Sequence, residues 1–234
     1  MNWIEHIVEP NRLLLTWQAP DKENRLRRII AELIRTGDEA KLKYLTESDD
    51  YKEAVKLGFN GFAAFSLDDQ SYDNVLGVFM KRLPPRTRTD FIKYLEAIRI
   101  PEKLKDKISD FALLGYSGAR LPDDDFSVVH PFDGVNAGFE LFTEICGFRH
   151  NEGTNILSEL KEGQEVVLEK EPSNMYDPLA VKIMFNKVKL GYINRGQLIA
   201  INRWIDHNLI SEVVIERING LPGNPKVYIF IKVA

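Results

Sequence analysis

The stretch that most restricts the fold of this chain is residues 169–183, Glu-Lys-Glu-Pro-Ser-Asn-Met-Tyr-Asp-Pro-Leu-Ala-Val-Lys-Ile. Two prolines, a serine, an asparagine and an aspartate separate a segment that ends at Lys170 from an apolar segment that begins at Leu179. Because these residue types favour turns and interrupt central strands, the stretch predicts a strand, a turn and a second strand.

The turn holds Tyr176 between the amide Asn174 and the carboxylate Asp177. A flat aromatic face beside hydrogen-bonding groups outlines a pocket for a small ligand or a nucleotide. Asn and Asp in turns most often bond only to the backbone of the turn itself, which gives a purely structural alternative. Local chemistry alone leaves both interpretations open.

Charge, hydropathy and cysteine content argue against several classes of protein. The net charge is −4, and residues 138–234 carry eleven Lys and Arg against twelve Asp and Glu, so a protein that coats duplex DNA is disfavoured. No apolar run approaches the roughly 20 residues of a membrane span, and the N-terminus lacks a signal-peptide pattern. We therefore expect a cytoplasmic protein without a membrane partner. Cys146 is the only cysteine, and we expect no cofactor.

The first half of the chain mixes strand and helix signals. Residues 12–45 predict a strand meander, although Leu26 to Ile34 has the spacing of an amphipathic helix; we interpret it as a strand because its neighbours are strand-like. The predicted helices, with Asp49, Asp50 and Ser71 as caps, are 49–58, 71–83, 90–99 and 101–113. A strand follows at 126–129. The basic run Lys81, Arg82, Arg86 and Arg88 is interpreted as a solvated face.

A loop rich in glycine and acid occupies residues 115–125 and ends in Asp123, Asp124 and Asp125. With His130 these carboxylates suggest a cation site, although their spacing is not that of a calcium loop. The following residues 131–138 resemble a linker. We therefore predict two domains, 1–134 and 138–234.

The second domain has mostly strand signals. Its last segment alternates cleanly, with Val227, Ile229, Ile231 and Val233 on one face. The other predicted elements are strands at 139–147, 164–170, 179–186 and 188–193, a helix at 195–207 and one more strand. About six short strands and one main helix predict an OB-like β-barrel. The fold class is α+β: a mixed strand and helix domain followed by this barrel.

Three segments of the second domain resemble the HIRAN family in the family's order. They are Cys146-Gly-Phe-Arg149, the stretch from Leu168 to Lys182 and Leu190-Gly-Tyr-Ile193. The Glu-Pro-x-Asn-x-Tyr-Asp-x-x-Ala-Val core is fairly specific, and the resemblance covers about residues 138–234. HIRAN modules occur in eukaryotic helicase-like repair proteins and as free-standing bacterial proteins.

The resemblance implies a modified OB fold that captures the 3′ end of single-stranded DNA. By position, Asn174 and Asp177 are the groups at the terminal sugar, and Tyr176 is a stacking surface. Arg149 and Arg195 are the cations near the last phosphates. These roles change our interpretation of the Tyr176 turn from structural to functional.

Three departures from the eukaryotic pattern bear on affinity. Met175 replaces the usual proline of the turn, and His150 stands where an aromatic stacking residue is expected. Tyr192 and Arg195 stand where the helicase-linked form has histidine and lysine. The charge roles survive, but His150 offers a smaller stacking surface, which predicts weaker binding or a preference for another nucleic acid.

The first domain resembles, more weakly, the N-terminal subdomain of HipA-type toxin kinases, up to Phe111-Ala-Leu-Leu-Gly-Tyr-Ser-Gly-Ala-Arg120. The catalytic loop and metal-binding acids of the kinase lobe have no counterpart here, so phosphotransfer is not carried over. A role in binding a protein partner through residues 1–134 is the default.

The leading hypothesis is a non-enzymatic module that binds single-stranded DNA, recognising its free 3′ end, in DNA repair or phage defence. The main alternative is a metal-dependent hydrolase or nuclease that uses the acidic loop at 123–130. Contiguous acids in a loop are splayed apart, whereas a metal hydrolase needs ligands that converge on one point. A protein-interaction adaptor is the third hypothesis.

Overall fold

The protein is described by a computed structural model. The described residues are 1–20, 26–122, 124–136, 138–221 and 223–234. The chain forms two compact units. What we call the C-terminal unit contains residues 1–8, 95–105 and 132–234, and what we call the N-terminal unit contains 9–94 and 106–131.

The N-terminal unit contains a five-stranded antiparallel sheet. Its strands, in the order β4-β3-β2-β1-β5 across the sheet, are β1 (Arg12–Gln18), β2 (Arg27–Thr36), β3 (Glu39–Tyr44), β4 (Ser71–Tyr72) and β5 (Phe126–Val129). The predicted meander is confirmed, including β2, whose sequence has helical spacing. β2 pairs with β1 on one side and β3 on the other, and these inter-strand bonds outweigh the local periodicity.

Four short α-helices lie between β3 and β5 in the described residues. They are α1 (Asp49–Lys56), α2 (Leu76–Met80), α3 (Phe91–Ala97) and α4 (Asp110–Ser117). The prediction that Asp49 and Asp50 cap the first helix is wrong, because the side chain of Ser48 accepts the bond from the Tyr51 amide. Ser71 lies in β4, so α2 begins later than predicted.

The prediction of one helix over 101–113 is also wrong. A single 3-10 turn at Glu102–Leu104 is followed by α4, whose cap is Ser109. The Ser109 hydroxyl accepts a bond from the amide of Ala112 and starts the helix there. Consequently Gly115 belongs to α4 rather than to the predicted loop.

Six strands and one α-helix lie within the described residues of 132–234. They are β6 (Phe139–Glu144), β7 (Val167–Lys170), β8 (Val181–Phe185), β9 (Val188–Tyr192), α5 (Leu198–Asp206), β10 (Ile210–Leu221) and β11 (Asn224–Val233). Two three-stranded antiparallel sheets form, β10-β11-β6 and β7-β8-β9. Isolated bridges join Cys146 to Tyr192 and Glu165 to Val214. The sheets thus meet at both edges, and the arrangement is OB-like, as the sequence predicts.

Two distant segments contribute to this same unit. Residues 1–8 and 95–105 are held to β10 through Glu216, which accepts bonds from Asn2 and forms an ion pair with Arg99. Phe132 is also buried in this unit, within the segment that resembles a linker. The domain boundary near residue 134 stays a prediction, since the compact units describe contacts and not independent folding.

Gly191 lies where the two sheets meet, and its position permits no side chain. A Cβ there would lie 2.4 Å from the carbonyl oxygen of Cys146 and 2.6 Å from Cγ2 of Ile145. We expect Gly191→Ala to lower the free energy of unfolding by about 1–3 kcal/mol or more, because the Cys146–Tyr192 bridge must open to admit the methyl group. Thermal unfolding measures this loss.

Gly223→Ala is the matched control, since a Cβ at Gly223 meets no atom within 4 Å. It should leave the melting temperature nearly unchanged. Equal melting temperatures for the two variants would contradict the close approach at Gly191.

Candidate nucleic-acid interface

The turn between β7 and β8 is closed by its own backbone. The Glu171 amide donates to the carbonyl of Ala180 at 2.8 Å, and the Ala180 amide donates to the carbonyl of Asp177 at 3.0 Å. The Asn174 amide donates to the carbonyl of Glu171 at 2.9 Å. These backbone hydrogen bonds fix the turn that carries Asn174, Tyr176 and Asp177.

Asn174 uses both ends of its side-chain amide. Its Oδ1 accepts bonds from the backbone amides of Tyr176 and Asp177, at 3.0 and 3.2 Å. Its Nδ2 donates to Oε2 of Glu171 at 2.5 Å. Asn174 therefore has the structural role that the sequence allows, because its side chain bonds the backbone of its own turn.

Asp177 joins the turn to the segment before α5. Its Oδ1 accepts a bond from the Leu179 amide at 2.9 Å, and its Oδ2 lies 2.8 Å from Nε of Arg195. Arg195 opens a 3-10 turn whose N-cap, Asn194, bonds the amide of Gly196 at 3.0 Å. Asp177 and Arg195, 18 residues apart, thus form an ion pair at the site.

Tyr176 stands out from this bonded turn. Tyr176 is 72% exposed, and the neighbouring Met175 is 85% exposed. The backbone of Tyr176 is held through Asn174 while its ring remains open to solvent. An exposed aromatic ring on a fixed backbone is the geometry on which a nucleic-acid base stacks.

Tyr192 lies below the turn, at the end of β9. Its hydroxyl donates to Oε2 of Glu171 at 2.9 Å and accepts from Nζ of Lys189 at 3.0 Å. The sequence prediction named Tyr192 but omitted Glu171, although Glu171 opens the Glu-Pro-x-Asn-x-Tyr-Asp motif. Glu171 accepts bonds from both Asn174 and Tyr192, and Nδ2 of Asn174 also donates to the Tyr192 hydroxyl at 3.4 Å.

The hydrogen bonds around Tyr192 favour the charged forms of Glu171 and Lys189. The bond from Asn174 is the main cause that lowers the pKa of Glu171, with Tyr192 and nearby lysines adding to it. The bond to Tyr192 is the main cause that raises the pKa of Lys189. At neutral pH a carboxylate and an ammonium group therefore flank the Tyr192 hydroxyl.

Arg149 and His150 lie on a different segment, a 3-10 turn at Phe148–His150. That turn follows Cys146, which pairs with Tyr192, so it begins beside the end of β9. Both side chains are exposed, and within the described residues neither makes a side-chain hydrogen bond or an ion pair. Among the described residues, no hydrogen bond or ion pair joins these two side chains to residues 171–179.

The alternative metal site has less support from the geometry. Arg82 bonds both carboxylate oxygens of Asp124, at 2.5 and 2.8 Å, so that this acid is neutralised by a buried cation. His130 is buried, and Asp123 lies outside the described residues. Over the described ranges, no three or more His, Cys, Asp or Glu side chains converge as a metal site would require.

The basic run of the N-terminal unit is not wholly the solvated face that the sequence predicts, because Arg82 is buried and pairs with Asp124. Besides Arg82, it contains Arg86, which pairs with Asp110, and Arg88, which pairs with Asp90.

Among the described residues, no helix has the length and apolar character needed to cross a membrane.

The two sheets of the C-terminal unit, joined at their edges, place it in the class of small OB-like domains. Within that class, residues 138–232 match the family model described as the HIRAN domain, so this part of the chain is a HIRAN domain. The resemblance found in the sequence is confirmed. HIRAN domains are DNA-binding modules, and the match supports nucleic-acid binding.

Two solved structures are similar to part of this chain. The crystal structure of the HIRAN domain of human HLTF is 21% identical, covers 40% of this chain and 76% of that chain, and has a TM-score of 0.30. A crystal structure of a protein from Lactobacillus plantarum is 20% identical, with 39% and 96% of the chains covered and a TM-score of 0.29. No curated protein matches the chain. The HipA-like interpretation of residues 1–134 stays a prediction.

Proposed function

We propose that the HIRAN domain of this chain binds single-stranded DNA and takes up its free 3′ end at the β7–β8 turn. The observation that carries the proposal is the exposed ring of Tyr176 on a turn that also presents Asp177 in an ion pair with Arg195. A stacking surface, an acceptor and a cation are thereby combined on one bonded platform.

Each group has a distinct role at a DNA end. The ring of Tyr176 stacks on a base without selecting its identity. Each carboxylate oxygen of Asp177 accepts one protein donor and has a second lone pair, which suits the 3′-hydroxyl. The guanidinium of Arg195 is the cation for the adjacent phosphate.

The other predicted residues have supporting roles in this proposal. Asn174 fixes the turn, and Tyr192 contributes its ring, because its hydroxyl proton is directed to Glu171. Arg149 and His150 flank the end of β9 and are proposed to meet the strand upstream of its end. Such a module suits DNA repair or phage defence, where exposed 3′ ends arise.

The test is an affinity comparison of the full chain across oligonucleotides with a free, a phosphorylated and a blocked 3′ end. Fluorescence anisotropy should give the tightest binding for the free hydroxyl. Equal affinity for all three ends would overturn end capture, and absence of binding to any single strand would overturn the proposed function.

Binding should depend on few cations. Arg149, Arg195 and one of Lys187 or Lys189 neutralise about two to four phosphates, which predicts a slope near −2 for log affinity against log salt on single strands. Replacing Arg149 with alanine should make the slope shallower by about 0.7 because one phosphate contact is lost. A slope steeper than about −5 would indicate an extended basic groove instead.

The hydrolase alternative is tested by incubating labelled single strands with Mg²⁺ or Mn²⁺. Turnover that is abolished by Asp124→Ala and kept by Tyr176→Ala would favour it over DNA-end binding. The adaptor hypothesis is tested by affinity capture with the full chain, because a fragment of residues 1–134 would separate 1–8 and 95–105 from the rest of the C-terminal unit.

A further inference from the structure

Glu171 holds two side chains with a single oxygen atom. Its Oε2 accepts from Nδ2 of Asn174 at 2.5 Å and from the hydroxyl of Tyr192 at 2.9 Å. Lys189 donates to that hydroxyl at 3.0 Å and lies over the ring of Tyr192. A continuous series of hydrogen bonds therefore runs from β9 through Glu171 into the turn.

The carboxylate fixes which way the amide of Asn174 points. In the observed orientation, Nδ2 faces an acceptor and Oδ1 faces two backbone N–H groups, those of Tyr176 and Asp177. The flipped amide would place donors against donors and an oxygen against a carboxylate. Glu171 thus favours the one orientation in which Asn174 can bond the turn.

We infer that Glu171 is a positioning residue of the candidate site, which acts through Asn174 to hold the backbone that carries Tyr176 and Asp177. This role deepens the proposed function, and its DNA readout rests on that function. Glu171 needs no contact with the ligand. Its side chain matters because a stacking ring and an end-binding carboxylate gain affinity when their backbone is already ordered.

The first test needs no DNA. Backbone hydrogen exchange of Tyr176 and Asp177, measured by NMR on the folded full chain, should become about tenfold faster in Glu171→Ala because their acceptor is no longer fixed. Glu171→Gln keeps an acceptor oxygen and should stay near the wild type. Unchanged exchange in Glu171→Ala would overturn the inference, whatever the DNA result.

The second test distinguishes positioning from charge. Removing a negative charge near a DNA site should by itself strengthen binding, whereas loss of positioning weakens it. We expect Glu171→Ala to bind single strands about tenfold more weakly and Glu171→Gln to lose less than about threefold, the tenfold step being about 1.4 kcal/mol. Tighter binding by both variants would overturn the inference.

Glu169→Ala is the matched control on β7. Glu169 lies two residues before Glu171 and pairs with Lys182 at 3.1 Å, so the variant removes the same charge outside the hydrogen-bonded series. It should leave exchange at Tyr176 unchanged and should not weaken binding. If wild-type protein binds no single strand but Glu171→Ala still speeds exchange, the positioning role stands and the proposed function fails.

Discussion

A Tyr176→Ala variant is expected to bind every single-stranded DNA about 5- to 150-fold more weakly than the wild type. Stacking of one base on an aromatic ring contributes about 1–3 kcal/mol and depends little on base identity. The ring of Tyr176 is exposed, so its removal takes away little packing within the protein. Fluorescence anisotropy with oligonucleotides of several sequences measures the loss.

Tyr176→Phe is the control for this prediction. It keeps the ring and removes the hydroxyl, so affinity should stay near that of the wild type. A Phe variant as weak as the Ala variant would show that the hydroxyl, and not stacking, supplies the binding energy.

An Asp177→Asn variant is expected to lose discrimination between 3′-hydroxyl and 3′-phosphate ends. A charge-assisted bond from the hydroxyl contributes about 1.5–3 kcal/mol, and a phosphate both lacks that donor and is repelled by the carboxylate. Asparagine retains an oxygen for the Leu179 amide, and the turn keeps its bond. The ratio of the two affinities is the measurement.

Asp177→Ala separates the structural role from the functional one. If Asp177 only bonds its own turn and Arg195, the alanine variant should melt at a lower temperature while the end preference stays unchanged. Thermal unfolding beside the affinity series decides between these outcomes. Wild-type protein that binds both ends equally would contradict end capture.

Glu216→Ala is expected to lower the free energy of unfolding of the protein by about 3–5 kcal/mol, because it leaves the buried guanidinium of Arg99 without its partner. Nε of Arg99 lies 2.7 Å from Oε1 of Glu216, and the two residues are 5% and 4% exposed. Asn2 adds bonds to both carboxylate oxygens, at 3.0 and 2.8 Å. Hydrogen exchange of the slowest amides in β10 and β11 reports the loss.

The double variant Arg99→Met with Glu216→Met should recover much of this stability, since it leaves no unpaired buried charge. Glu5→Gln is the control: it breaks the exposed Lys103–Glu5 pair, which should cost less than about 1 kcal/mol. A loss below about 1 kcal/mol in Glu216→Ala would contradict the importance of the buried pair.

Two of the helix starts predicted from local sequence patterns are wrong. Pro101 suggested a helix start, but the side chain of Ser109 bonds the Ala112 amide and begins α4 later. Ser71 looked like a cap, yet it pairs with Lys43 in the sheet. A cap signal predicts a possible helix start, and the surrounding chain selects which one is used.

Local sequence patterns are enough to predict the strands of the C-terminal unit and the turn before β8, because alternation of apolar residues and turn-forming Asn, Asp and Pro act within a few residues of chain. They therefore placed Tyr176 at a turn and the last strand at 227–233, and the motif identified the HIRAN domain. These features depend on neighbours along the chain, which the sequence shows directly.

Which side chains share a hydrogen bond depends on the folded chain and not on neighbours in sequence. Glu171 meets Tyr192 across 21 residues, Asp177 meets Arg195 across 18, and Glu216 meets Arg99 across 117. The sequence shows which side chains can donate or accept, but a hydrogen bond forms only when the donor and acceptor atoms lie within about 3 Å of each other. Strand pairing and the bulge that turns Glu216 inward set those distances, and no local pattern carries them.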